Sequence, residues 1–204
     1  MSPAARLWSA VTALLLLSAL LQVSGLTPLL RYSRDAIAAG ELWRVITGHL
    51  LHLGAAHFVL NAIGTALAAA LVGTQLRPLA WGGVWLACAL SVSGGLWFLQ
   101  PGIGWYVGLS GVLHGLIVAG AIAGLGDYRE RLFAAAVLVA IAAKLGWEYW
   151  SGAMPGTAAL AGGSVVTEAH LYGAIGGLLA GLAVLASRRL HGARSHDQDG
   201  RDLK

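Results

Sequence analysis

Apolar residues in this chain run in long blocks separated by short polar stretches. Blocks of about 17 to 25 such residues are long enough to cross the bilayer core as helices. Six are read this way: 7–25, 56–72, 79–99, 110–125, 132–150 and 167–187. They predict an all-α membrane protein, a single six-transmembrane-helix bundle over 1–187. The residues after it, 188–204, are polar and charged and predict a disordered tail. No internal repeat and no second domain are evident. The first block has Arg6, an apolar core and the small residues Ser24 and Gly25, as a cleaved signal peptide would. Its run is long and no A-x-A site follows, so it is read as a span.

Composition agrees with the pattern. Apolar residues make up 57% of the chain and charged residues only 11%; a soluble domain carries about 25% charged residues. Such a surface suits lipid, not water. Glycine, with 29 residues, suits close helix packing in lipid. A formal charge of +4 gives little support to a nucleic-acid partner. Cys88 is the only cysteine, which excludes an intrachain disulfide and a cysteine zinc cluster. The basic residues set the orientation. Arg6, Arg77, Arg129, Arg131, Arg188 and Arg189 fall on the side of the termini; Arg31, Arg34 and Arg44 fall on the other. Both termini are therefore expected in the cytoplasm, with the loops 26–55 and 151–166 facing outward.

Polar residues inside spans are costly and mark function. Ser110 opens the fourth span within Gly108-Leu109-Ser110-Gly111. A helix start offers free N–H groups that stabilise an oxyanion, and Gly108 and Gly111 let backbone approach a carbonyl. Alone, Ser110 reads more readily as a helix cap. His170, in the first turn of the sixth span, changes that, because a serine needs a base to become a nucleophile. Gly173, Gly177 and Gly181 continue the stripe that His170 begins. Gly111 and Gly115, then Gly120 and Gly124, offer a small face on the fourth span. Packing these faces together would bring His170 beside Ser110. His57 and Asn61, at i and i+4 on the second span, share a face and can both donate to an oxyanion; an interhelical hydrogen-bond pair is the plainer alternative. No carboxylate is expected to complete a triad: Glu168 lies two residues from His170 and faces elsewhere. A Ser–His dyad is expected. Lys144 and Glu148, at i and i+4 on the fifth span, are expected to form a structural ion pair or to serve in gating.

Taken together, Trp43-Arg44, His52, His57, Asn61, Gly108-Leu109-Ser110-Gly111 and Ala169-His170 with Gly173 and Gly177 resemble the motifs of the rhomboid protease family, in the family's order and spacing. The resemblance implies an intramembrane serine endopeptidase with a rhomboid-like bundle. It implies Ser110 as nucleophile, His170 as general base, and an oxyanion site of the Ser110 N–H, His57 and Asn61. It also implies that Trp43-Arg44 rests in an outward loop partly in the membrane.

One departure is His114, where many rhomboids carry a tyrosine four residues after the serine. It lies one turn from Ser110 and either orients His170 or serves as a structural histidine. The Ser-Gly-x-x-His-Gly run and the small size resemble the rhombosortase subfamily. That resemblance implies a single-span substrate with a C-terminal Gly-Gly sorting tail, in a bacterial inner membrane. A general rhomboid with a broader small-residue preference is the alternative. His49, His52, His57, His114 and His170 also raise a non-enzymatic metal or haem protein. His-Glu-x-x-His is absent, and no cofactor or metal is expected.

Overall fold

The computed structural model describes residues 1–202, with side chains to Arg188. The backbone of the tail expected over 188–204 continues α10 as far as Asp202, and residues 203–204 lie outside the described residues. In chain order the elements are α1 (Pro3–Val23), α2 (Thr27–Leu30), β1 (Tyr32–Ser33), α3 (Arg34–Ala38), α4 (Arg44–Thr47), α5 (Ala55–Val72), α6 (Pro78–Leu99), β2 (Trp105–Tyr106), α7 (Ser110–Gly124), α8 (Arg131–Ser151), α9 (Thr157–Ala161) and α10 (Thr167–Asp202).

Among the described residues, five helices are long and apolar enough to cross a membrane: Pro3–Val23, Ala55–Gln75, Pro78–Leu99, Arg131–Ser151 and Thr167–Arg188. The remaining apolar block forms α7, of only 15 residues. At 1.5 Å per residue it spans about 22 Å, short of a core about 30 Å thick. What α7 lacks in length it makes up in burial. Most of its side chains are enclosed, and it packs against α5, α6, α8 and α10. By contrast α1 buries only Ser18, and α8 buries only Ala134 and Glu148. Exposed leucines along α1, α5 and α10 face the surroundings that their composition suits, which is lipid. Trp147, Tyr149 and Trp150 are exposed at one end of α8, an arrangement typical of a membrane interface.

The expected outward loop after α1 is an organised layer, not a bare connection. Its pivot is Arg44, 5% exposed. The guanidinium donates to Glu41 Oε2 at 2.7 Å and to the carbonyls of Pro28 at 2.8 Å and Arg31 at 3.0 Å. Trp43 Nε1 donates to the Leu29 carbonyl. Arg34 donates to the carbonyls of Leu96, Trp97 and Gln100, capping the last turn of α6. Antiparallel pairing of β1 with β2, Tyr32 opposite Tyr106 and Ser33 opposite Trp105, ties this layer to the segment that leads into Ser110.

Candidate active site

Ser110 is the first residue of α7, and Leu109, not Ser110, stands at the cap position. The hydroxyl is therefore free for other work. His170 Nε2 lies 3.0 Å from Ser110 Oγ. The other ring nitrogen, Nδ1, faces Glu148 Oε2 at 2.9 Å. A carboxylate oxygen can only accept, so the proton sits on Nδ1 and the Nε2 lone pair points at the serine hydroxyl. Ser110, His170 and Glu148 thus form a continuous hydrogen-bonded chain across α7, α10 and α8. The sequence reading expected no carboxylate here, and the structure corrects that. Residues 148 and 170 are distant in the chain, and only the packing of α8 on α10 joins them.

Glycine makes the approach of α10 to α7 possible. A Cβ on Gly111 would meet the Ala169 carbonyl oxygen at 2.7 Å. A Cβ on Gly173 would collide with the Gly111 carbonyl, and one on Gly177 with the Gly115 carbonyl; Gly181 faces Ala119. Gly115 faces Cys88 as well. Gly120 and Gly124 do not belong to this face. Gly120 packs on Val72 and Trp81, and Gly124 on Ala134 and Gln75, because the helix turns those positions toward α5, α6 and α8.

His57 lines the cleft above Ser110. The Leu53 N–H donates to its Nδ1 at 3.2 Å, which leaves the proton on Nε2 as a donor. A Cβ on Gly108 would lie 3.1 Å from His57 Cε1, and Gly108 itself has φ +144°. Both the backbone turn and the nearness of the imidazole thus require glycine there. Asn61 is buried one turn further along α5. Its Nδ2 donates to the His57 carbonyl at 3.1 Å, and it is not on the cleft wall. His114 donates from Nδ1 to the Ser110 carbonyl at 2.7 Å. Its ring stacks on His170 with centroids 4.2 Å apart and planes 19° from parallel.

Tyr106 is a neighbour that sequence reasoning did not single out. Its phenol donates to the Gly108 carbonyl at 2.8 Å, with the Ser110 side chain and the Gly111 N–H beside it, and burial raises its pKa. It stays protonated and braces the turn before Ser110. Its pairing with Tyr32 in the two-stranded sheet becomes visible only in the fold.

His49 and His52 lie beneath the outer layer. His49 Nε2 contacts the Ala89 carbonyl and Ser93 Oγ, each at 3.0 Å, joining the loop to α6. His52 packs edge-on against His57. The histidines are therefore spread over separate jobs. Ligand atoms of His114, Glu148 and His170 do lie within 4.8 Å of one another. Yet a histidine binds metal in its ring plane, and two nearly parallel stacked rings cannot both aim at one ion. Glu148 also carries Lys144 Nζ on Oε1 at 2.6 Å. The donor set fits hydrogen bonding better than a metal.

The cleft over Ser110 has a volume near 280 Å³ and is walled by His57, Trp105, Tyr106 and the segment Ser164–Val166. A larger apolar cavity, near 430 Å³, lies between α1, α5 and α6. It holds no pair of reactive groups. Residues 39–187 match the family model of the rhomboid domain. No curated protein matches the chain.

Proposed function

Because that match takes in most of its length, the chain belongs to the rhomboid family of multi-pass intramembrane serine proteases, and on that premise we propose how this member cuts and what it cuts. The observation that carries the reading is the 3.0 Å contact of Ser110 Oγ with His170 Nε2 at the cleft. Ser110 is the nucleophile. As its oxygen bonds to the scissile carbonyl carbon, its proton passes to His170 Nε2. The carbonyl becomes an oxyanion next to the first N–H groups of α7, which have no partner within the helix. The protonated Nε2 of His57 donates from the other side. Asn61 acts through the helical turn that carries His57. When the C–N bond breaks, His170 returns the proton to the leaving amine. Water then takes the place of the amine, and the same proton shuttle frees the product acid.

The reading includes six spans with α7 as the short one, over 1–187, and both termini in the cytoplasm of a bacterial inner membrane. Ser110 then lies toward the outward side, where water can reach it. The substrate is a single-span protein cut near its outward boundary. A transmembrane helix hides its carbonyls in its own hydrogen bonds. Glycine weakens a helix by about 1 kcal/mol relative to alanine, so a Gly-Gly pair before the span favours an unwound segment that can enter the cleft. Basic residues after the span hold the tail inside. This is the geometry of a C-terminal Gly-Gly sorting tail.

Co-expression with such a substrate tests both parts, reading its new C-terminus by mass spectrometry. Cleavage should occur, and Ser110→Ala and His170→Ala should each abolish it. Near-normal cleavage in Ser110→Ala overturns the serine mechanism. Replacing the substrate Gly-Gly with Ala-Ala or Leu-Leu should remove most cleavage. Tolerance of Ala-Ala would assign a broader small-residue preference and leave the dyad standing.

A further inference from the structure

The mechanism above leaves unused a charged pair directly behind His170. Glu148 is 6% exposed, on a helix that otherwise buries only Ala134. A buried carboxylate is costly unless both its oxygens are satisfied. Here both are. Oε1 accepts from Lys144 Nζ at 2.6 Å, and Oε2 accepts from His170 Nδ1 at 2.9 Å. A carboxylate that served only to neutralise Lys144 would not need its second oxygen on the imidazole. Lys144 is less deeply buried, its side chain 32% exposed.

The geometry points to Glu148 as the positioning residue of a Ser110–His170–Glu148 triad, with Lys144 fixing its carboxylate. This rests on the serine-protease reading above. The carboxylate has two tasks. It keeps the proton of neutral His170 on Nδ1, so that Nε2 is free to take the proton of Ser110. It also stabilises the imidazolium that forms when that proton arrives. Glu148 stays ionised throughout and takes no proton. Lys144, holding the opposite oxygen, stops the carboxylate from rotating away. Its ammonium lies 3.4 Å from His170 Nδ1, but a protonated Nδ1 has no lone pair to accept from it. The stacked ring of His114 covers one face of His170 and limits its swing. A hydrogen-bonded acid on α8 thus sets the chemistry of a base on α10.

Glu148→Gln keeps the size but offers an amide N–H to Nδ1, which drives the proton to Nε2 and removes the base. For a membrane-embedded single-span substrate, kcat should fall by about 100-fold or more, with KM within about threefold. Fluorophosphonate labelling of Ser110 should slow in parallel. The single variant leaves Lys144 unpaired, so the double variant Lys144→Met/Glu148→Met is needed, in which neither charge nor any acceptor for Nδ1–H remains. If the ion pair serves packing alone, the double variant recovers kcat to within about tenfold of wild type, and the proposal is overturned. Continued loss in a double variant that melts like wild type supports it. A measurement on the wild-type protein needs no variant to fold. Nitrogen-15 histidine spectra, assigned by the signals lost in His170→Ala, should show the proton on Nδ1 of His170; a proton on Nε2 overturns the triad. Cleavage that persists in Ser110→Ala would fail the serine reading itself, whatever Glu148 does.

Discussion

At the scale of single residues, the site works by giving each nitrogen one kind of partner. His170 has a carboxylate on Nδ1 and a hydroxyl on Nε2. His57 has a backbone N–H on Nδ1 and so presents Nε2–H outward. His114 spends Nδ1–H on the Ser110 carbonyl. In the mechanism proposed above the three imidazoles take three roles: base, donor and support. On the mechanism proposed above, His57→Ala removes a donor to the developing oxyanion. It should lower kcat about 100- to 1,000-fold with little change in KM, read by steady-state cleavage of a reconstituted substrate. A kcat near wild type would take His57 out of the oxyanion site. Ser110, His170 and His57, which the fold brings to one cleft or into contact, stood out as candidates in the chain because reactive side chains are rare in apolar blocks. Glu148 was visible as an ion-pair partner of Lys144 but not as a partner of His170. The clue was its depth: it lies near the end of the fifth block, and His170 near the start of the sixth, which puts both at one level of the bilayer.

At the scale of elements, the contact of α7 with α10 decides whether the site exists. Backbone meets backbone along Gly111, Gly115, Gly173 and Gly177. Gly173→Val or Gly177→Val would drive a branched side chain into a carbonyl oxygen of α7, and the helices must separate. A displacement near 1 Å at the reacting atoms costs about 100-fold in rate. Each variant should therefore insert and run as a full-length protein yet lose at least that much activity in a cleavage assay. Normal cleavage by both would show that this contact does not position His170. The glycine stripe of α10 was readable from spacing alone. Its partner was readable only in part, since Gly120 and Gly124 lie in line with Gly111 and Gly115 in the sequence but face α5, α6 and α8 in space. A helix with neighbours on every side presents glycine to several of them, and spacing does not say which.

For the whole molecule, the outer layer is held down not only by Arg44 but also by two buried imidazoles, His49 and His52. His49 is buried, and its pKa is lowered from 6.5 to about 4, chiefly by loss of solvent; His52 is lowered likewise to about 4, by burial and then by His57. The unfolded chain takes up these protons near pH 6.5, and the folded chain refuses them until near pH 4. Stability should therefore be full above pH 6.5 and fall as pH drops from 6.5 toward 4. Thermal unfolding in detergent across that window should show a falling Tm, with a shallower fall in His49→Gln, which has no such proton to take up. An equal slope in both proteins would remove His49 as a source. The sequence by itself determined that this is a helical membrane protein with a serine and a histidine at the starts of two of its apolar blocks. Lipid dictates composition over every long span, and reactive groups stand out against it. The tertiary structure alone decided which faces meet, that Asn61 stands behind His57, and that Glu148 reaches His170. Those outcomes depend on the rotation and depth of each helix among its neighbours, and residue spacing along one helix carries neither.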